Sequence, residues 1–204
     1  MTRLYAGLAV GVIAALLGWT GYLIYAKRAA DPFAQCRGST VGGGDIGGPF
    51  TLVDETGATV TDKDVITRPT LVYFGYTFCP DVCPLDNARN AEAVDLLKER
   101  GVEVTPVFIS IDPERDTPEA LRDFTDNMHP DMIGLTGSAE QVKAASMAYR
   151  TYYKKQESGD EYYLMDHSTF TYLVLPEAGF VDFFRRESTP AEMADRVACF
   201  VKAQ

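Results

Sequence analysis

Histidine is nearly missing from this 204-residue chain, which has only His129 and His167 beside four cysteines and one tryptophan. No second Cys/His pair stands at a spacing that would complete a four-ligand structural zinc site. Acid is missing from the first thirty residues, whose only charged side chains are Arg3, Lys27 and Arg28. The remainder therefore holds 16 basic against 29 acidic residues, a net of −13. Such a surface repels phosphate backbones, which argues against nucleic-acid binding, and it would attract a basic protein partner. No repeat and no long charge run occurs, and the length fits one domain with short additions. With 46% of residues apolar, a core can form without a disulfide framework.

Residues 4–26 form an uncharged, mainly apolar run of 23 positions. As a helix this run is about 34 Å long, enough for a bilayer's hydrocarbon core. Trp19, Tyr22 and Tyr25 suit a membrane interface, with Lys27 and Arg28 just beyond. A cleaved signal peptide is the rival reading. It is disfavoured because signal apolar regions run to roughly 7–15 residues and no A-x-A-like site follows cleanly. Charge does not choose the orientation, since basic groups flank both ends. Three preceding residues leave no room for an Arg-rich mitochondrial transit peptide, so a bacterial inner membrane is expected.

A Gly-rich tether is expected over 27–48, and a folded domain over 49–204. In that domain, 50–54 and 58–61 read as a hairpin around Glu55–Gly57. Residues 70–76 and 102–111 read as buried strands. A helix is predicted between them, ending before Gly101 and turning Leu85, Ala88, Ala93 and Leu96 to one side. Thr117-Pro118-Glu119 opens another helix, and 138–149 a further one. A second hairpin is expected from 151–155 and 161–165, then strands at 169–175 and 180–184 and a closing helix at 190–202. This order predicts an α/β, thioredoxin-like three-layer domain with a mixed central sheet.

The informative segment is Y-F-G-Y-T-F-C-P-D-V-C-P at 73–84, with Cys79 and Cys83 at a strand-to-helix junction. Unpaired N–H groups at a helix start favour thiolate, the form that binds metal or attacks disulfides. Two buried, inert cysteines would need neither the loop nor the helix start. A dithiol cycling through a disulfide stays open, although redox pairs of this fold usually have two residues between the cysteines rather than three. His167 lies before the strand at 169–175, where thioredoxin-like enzymes usually carry a cis-proline and this chain has none. Two thiolates and an imidazole suit Cu(I), with room for a weak further ligand around Cu(II).

F-G-Y-T-F-C-P-D-V-C-P, F-I-S-I-D-P-E-R-D-T-P at 108–118, I-G-L-T-G at 133–137, Y-R-T-Y-Y at 149–153 and D-H-S at 166–168 occur in order. Together they resemble the Sco/SenC family of copper-binding cytochrome oxidase assembly proteins over about residues 47–202. The resemblance implies Cys79, Cys83 and His167 as copper ligands, an N-terminal anchor, and a domain on the periplasmic or intermembrane-space side. Residues 1–3 would then be cytoplasmic. It also implies delivery of copper to the oxidase's copper subunit, with another copper carrier and a thiol reductant as further partners. Alternatives are a thiol–disulfide oxidoreductase acting on that subunit and a copper or redox sensor. Phe78 departs from the pattern, where many relatives have His.

Asp81 and Asp166 could orient ligands, or be solvated loop acids. Met165 reads better as core filling than as a ligand, and His129 as a helix-end residue. Asp112, Glu114, Arg115 and Asp116 are expected to bond locally within a turn. Cys36 and Cys199 could pair in an oxidising compartment, or remain separate.

Overall fold

The structure is a computed structural model that describes residues 2–29, 31–38, 46–157 and 162–204. Helix α1 runs Thr2–Ala29, past the expected limit of the apolar span. Its side chains are described at residue 5 and over 11–24, where Val12, Ile13, Leu16, Leu17, Trp19 and Ile24 are exposed. Among the described residues no helix is long and apolar enough to cross a membrane; of the expected span at 4–26, the backbone is helical and side chains are described only at residue 5 and over 11–24. Most of the Gly-rich part of the tether, 39–45, also lies outside the described residues.

The domain opens with the expected hairpin, β1 (Thr51–Asp54) and β2 (Thr59–Thr61), followed by a one-turn helix α2 (Asp62–Val65). Then come β3 (Thr70–Gly75), α3 (Val82–Glu99), β4 (Thr105–Ser110), α4 (Pro118–Met128), β5 (Ile133–Thr136) and α5 (Ala139–Ala148). The remainder is β6 (Tyr153–Lys155), β7 (Met165–His167), β8 (Thr171–Leu175), β9 (Gly179–Phe184) and α6 (Pro190–Lys202). Seven strands form one mixed sheet in the order β2-β1-β5-β4-β3-β8-β9, with β3, β4 and β5 parallel. This is the α/β thioredoxin-like arrangement the element order predicts. The sequence reading missed β5, a four-residue strand too short for a pattern to show.

β3 and β4 are buried at every position, as central strands covered on both faces must be. Leu71 packs with Ala93, Val94 and Leu97 of α3 and Val197 of α6. Three residues on, on the opposite face, Phe74 meets Tyr149 at the end of α5, 5.4 Å between ring centroids. Helix starts follow the sequence signals: Thr117, Ser138 and Thr189 each accept a backbone N–H at the third helical residue.

The second hairpin is a correction. Its returning strand is 165–167 rather than 161–165, and it pairs only with β6, apart from the main sheet. The α3 face is another. Leu85 and Ala88 are exposed, whereas Asp86, Asn87, Arg89 and Asn90 are buried beside Ala93 and Leu97. The buried face there is polar, so counting apolar side chains selects the wrong one.

The segment before the domain is partly held. Cys36 and Cys199 form a disulfide with Cα atoms 5.6 Å apart. Phe33 packs on Phe200 of α6, and the Gly38 N–H donates to Asp182.

Candidate metal centre

At the end of β3 the chain turns through residues 76–81 and enters α3 at Val82. Gly75 makes room for this turn: a Cβ there would lie 2.9 Å from Cys83 Sγ, Phe108 and Tyr73 alike. The two cysteines straddle the strand-to-helix junction. Cys83 is the second helical residue, while Cys79 lies in the loop before it. The Cys83 N–H donates to Cys79 Sγ at 3.3 Å, so the helix start still supplies a donor to the first thiol.

The two thiols are therefore unequal. A hydrogen bond from Cys83, together with those from the Asp81 and Cys83 backbone, outweighs burial and brings Cys79 down to about 3. Burial, with the neighbouring Cys79, pushes Cys83 far upward, so the pair keeps its proton on the inner sulfur.

His167 arrives from the opposite side on β7, in register with Tyr153 of β6. Its Nδ1 lies 2.9 Å from the Ser168 carbonyl, which can only accept, so the proton sits on Nδ1. That leaves the Nε2 lone pair facing Cys83 Sγ, 3.4 Å away. The ring stands edge-on to Tyr73 and Tyr76, which fix its plane. The ligand atoms of Cys79, Cys83 and His167 all lie within 4.8 Å of one another. Two sulfurs and one imidazole nitrogen at that separation fit a soft, low-coordinate metal ion.

Beneath the sulfurs is a polar network that sequence reasoning missed. The Tyr73 hydroxyl donates to Asp86 at 3.0 Å, and Asp86 also faces Arg89 and Arg186 at 3.6 and 3.3 Å. Arg89 donates to Thr171 and to the Arg185 carbonyl, while the Asn87 side chain donates to the Cys83 carbonyl. The available signal was the pair of polar residues Asp86 and Asn90, one helical turn apart just after the cysteines.

The other candidates fall outside the ligand set. His129 caps α4, its Nδ1 accepting from the Asp131 N–H and its Nε2 facing Asp95 at 3.3 Å. Asp166 accepts from Gln156, and Asp81 is exposed at the start of α3 without a side-chain capping bond. Met165 is buried, and its N–H donates to the Tyr76 hydroxyl. The 112–116 turn bonds locally only in part: Arg115 donates to Asp112 and Ser110 to Asp116, but Glu114 accepts from Lys155 and Asp116 from Thr77, 41 and 39 residues away.

The SCO1/SenC family model matches residues 39–202. The chain belongs to the SCO1/SenC family. It is 56% identical to protein SenC of Rhodobacter capsulatus over 196 residues, 96% of this chain and 89% of that protein. Against the crystal structure of Arabidopsis thaliana ScoI with copper bound, the TM-score is 0.73 at 44% identity, covering 77% of this chain and 99% of that one. Against Bradyrhizobium japonicum ScoI with copper bound it is 0.69 at 39% identity, covering 75% and 98%. The chain spans about half, 48%, of the full-length Arabidopsis mitochondrial SCO1 homologue it matches. Phe78 is 52% exposed and lies 4.7 Å from the Arg115 guanidinium, outside the three converging residues.

Proposed function

We propose that this SCO1/SenC protein is a membrane-anchored copper carrier. It takes up Cu(I) or Cu(II) through Cys79, Cys83 and His167 and passes it by ligand exchange to the binuclear copper centre of cytochrome c oxidase. The observation that carries this reading is the convergence of the three ligand atoms, with Cys79 already favouring thiolate and the His167 lone pair already aimed inward. Uptake displaces the remaining thiol proton, and the soft sulfur pair holds the metal. The relatives with copper bound support the choice of metal, and the family resemblance supports the oxidase as destination. Transfer needs ligands that leave one at a time, which three separate side chains permit.

Anchoring in a bacterial inner membrane, with the domain in the periplasm, fits the exposed apolar side chains of α1. The Cys36–Cys199 bridge is a further support, since such bonds persist in oxidising compartments. In that setting a thiol reductant must keep the metal-binding pair reduced.

A second reading is thiol–disulfide exchange with the oxidase's copper subunit, favoured by the inequality of the two thiols. Cys79 thiolate would attack a partner's disulfide sulfur, releasing one partner thiolate. Cys83 would then lose its proton and attack Cys79, closing its own disulfide and releasing the second. Substituting His167→Ala separates the readings. A carrier loses most of its copper, measured as bound metal on anaerobically reduced protein, while the dithiol still oxidises and reduces. Copper retained at the parent affinity would sink the ligand assignment.

A further inference from the structure

The cysteines and His167 come from two bodies that share no strand pairing. Cys79 and Cys83 are fixed to the main sheet through β3 and α3, whereas His167 sits on the two-stranded β6–β7 ribbon. Two three-residue strands hold little shape by themselves, so side-chain contacts must set where the ribbon lies.

Those contacts converge on the turn after β4. On the ribbon's side, buried Asp112 accepts the Tyr163 hydroxyl at 2.7 Å, and Glu114 accepts the same hydroxyl at 3.2 Å. The Arg115 guanidinium, held by Asp112 at 2.6 Å, lies 3.6 Å from the Tyr163 ring centroid. Lys155 of β6 lies 3.7 Å from that ring and donates to Glu114 at 2.6 Å. On the cysteine side, fully buried Asp116 accepts the Thr77 N–H at 3.1 Å, the Thr77 hydroxyl at 2.6 Å and the Ser110 hydroxyl at 2.6 Å. Thr77 stands two residues before Cys79, and Tyr163 four before His167. One more tie, from the Met165 N–H to the Tyr76 hydroxyl, joins the two bodies directly.

We propose that the 112–116 turn is a yoke that sets the separation between His167 and the cysteine pair. Tyr163 and Arg115 act as positioning residues for His167, and Asp116 for the Cys79 loop. The inference rests on the copper reading for its purpose, but the geometry it asserts exists without metal. A Tyr at 163 gives the ribbon one rigid ring with a hydroxyl at its tip, so a single side chain engages both the cation and the acids of the turn.

The test uses the scarcity of histidine. In reduced, metal-free protein, imidazole nitrogen–proton NMR has two spin systems, and His129 serves as the internal control. Tyr163→Phe is expected to move the His167 signals, leave those of His129 in place, and leave the Cys79 alkylation rate unchanged. Its Cu(I) affinity, by competition with a chromophoric chelator, should fall roughly 10-fold, as for outer partners of other metal ligands. In a His167→Ala background the same substitution should cost nothing further. Asp116→Asn should instead alter Cys79 alkylation and weaken copper in both backgrounds. His167 signals unmoved by Tyr163→Phe, or an equal copper loss without His167, would overturn the yoke. If the parent protein takes up no copper, the copper reading fails while the imidazole signals still decide the yoke.

Discussion

Cys79 and Cys83 present the same group four residues apart, yet their protons behave oppositely. Donors converge on Cys79 and bring it to about 3, whereas burial holds the proton on Cys83. Between about pH 4 and 8 the reduced pair should therefore carry its negative charge on Cys79, and that charge is lost only as pH falls through about 3. Iodoacetamide at pH 5, followed by peptide mass spectrometry, should label Cys79 at close to its neutral-pH rate and leave Cys83 unmodified. Labelling of both at equal rates would contradict the asymmetry. Asp86 is the other residue whose removal has a definite sign. It faces two arginines and Tyr73, and Arg89 is itself buried. Asp86→Ala leaves that guanidinium without its acid and should cost about 3–5 kcal/mol in urea unfolding. The burial of Cys83 and Arg89, and the approach of Tyr73 and Arg186 to Asp86, come from the fold, which residue type alone does not reveal.

At the scale of elements, legibility follows how local each signal is. The cap at Thr117 is read from adjacent residues and stands where expected, and the helices expected at 138–149 and 190–202 begin on caps at Ser138 and Thr189. The buried strands β3 and β4 show as continuous apolar runs. The α3 face was misread because its buried side includes the Asp86, Arg89 and Asn90 network, whose partners Tyr73 and Thr171 lie on strands. The β6–β7 ribbon was displaced because a three-residue pairing has no periodicity to detect. The Cys36–Cys199 bridge closes a separation of 163 residues, a pairing that sequence could only leave open. Replacing both cysteines by serine should cost about 4–5 kcal/mol on the chain-entropy model, seen as a lower thermal midpoint. Copper uptake should survive, because the bridge packs on the α3–α6 side of the sheet with Leu71, whereas Cys79 and Cys83 pack in a separate cluster with Tyr73, Phe74 and Tyr149.

For the whole molecule, metal and stability are linked. A ligand set assembled from residues 79, 83 and 167 exists only in the folded chain, so copper should favour that state. At a thousandfold excess of free copper over Kd the gain is about 4 kcal/mol, provided the unfolded cysteines bind weakly. Calorimetry of reduced protein with and without Cu(I) should show the rise, and His167→Ala should diminish it. An unchanged midpoint would argue that copper does not use the assembled site.

Adjacent residues and short motifs are enough to read the α/β order, the helix start at Thr117, the membrane-like apolar run and the three candidate ligands Cys79, Cys83 and His167. Tertiary structure alone decided which sulfur keeps the proton, which imidazole nitrogen faces it, and how a separate ribbon is held at 3.4 Å from Cys83. The reason is physical. Proton positions and ligand separations are set by desolvation and hydrogen bonds between segments up to 84 residues apart, and those act only once the chain has folded.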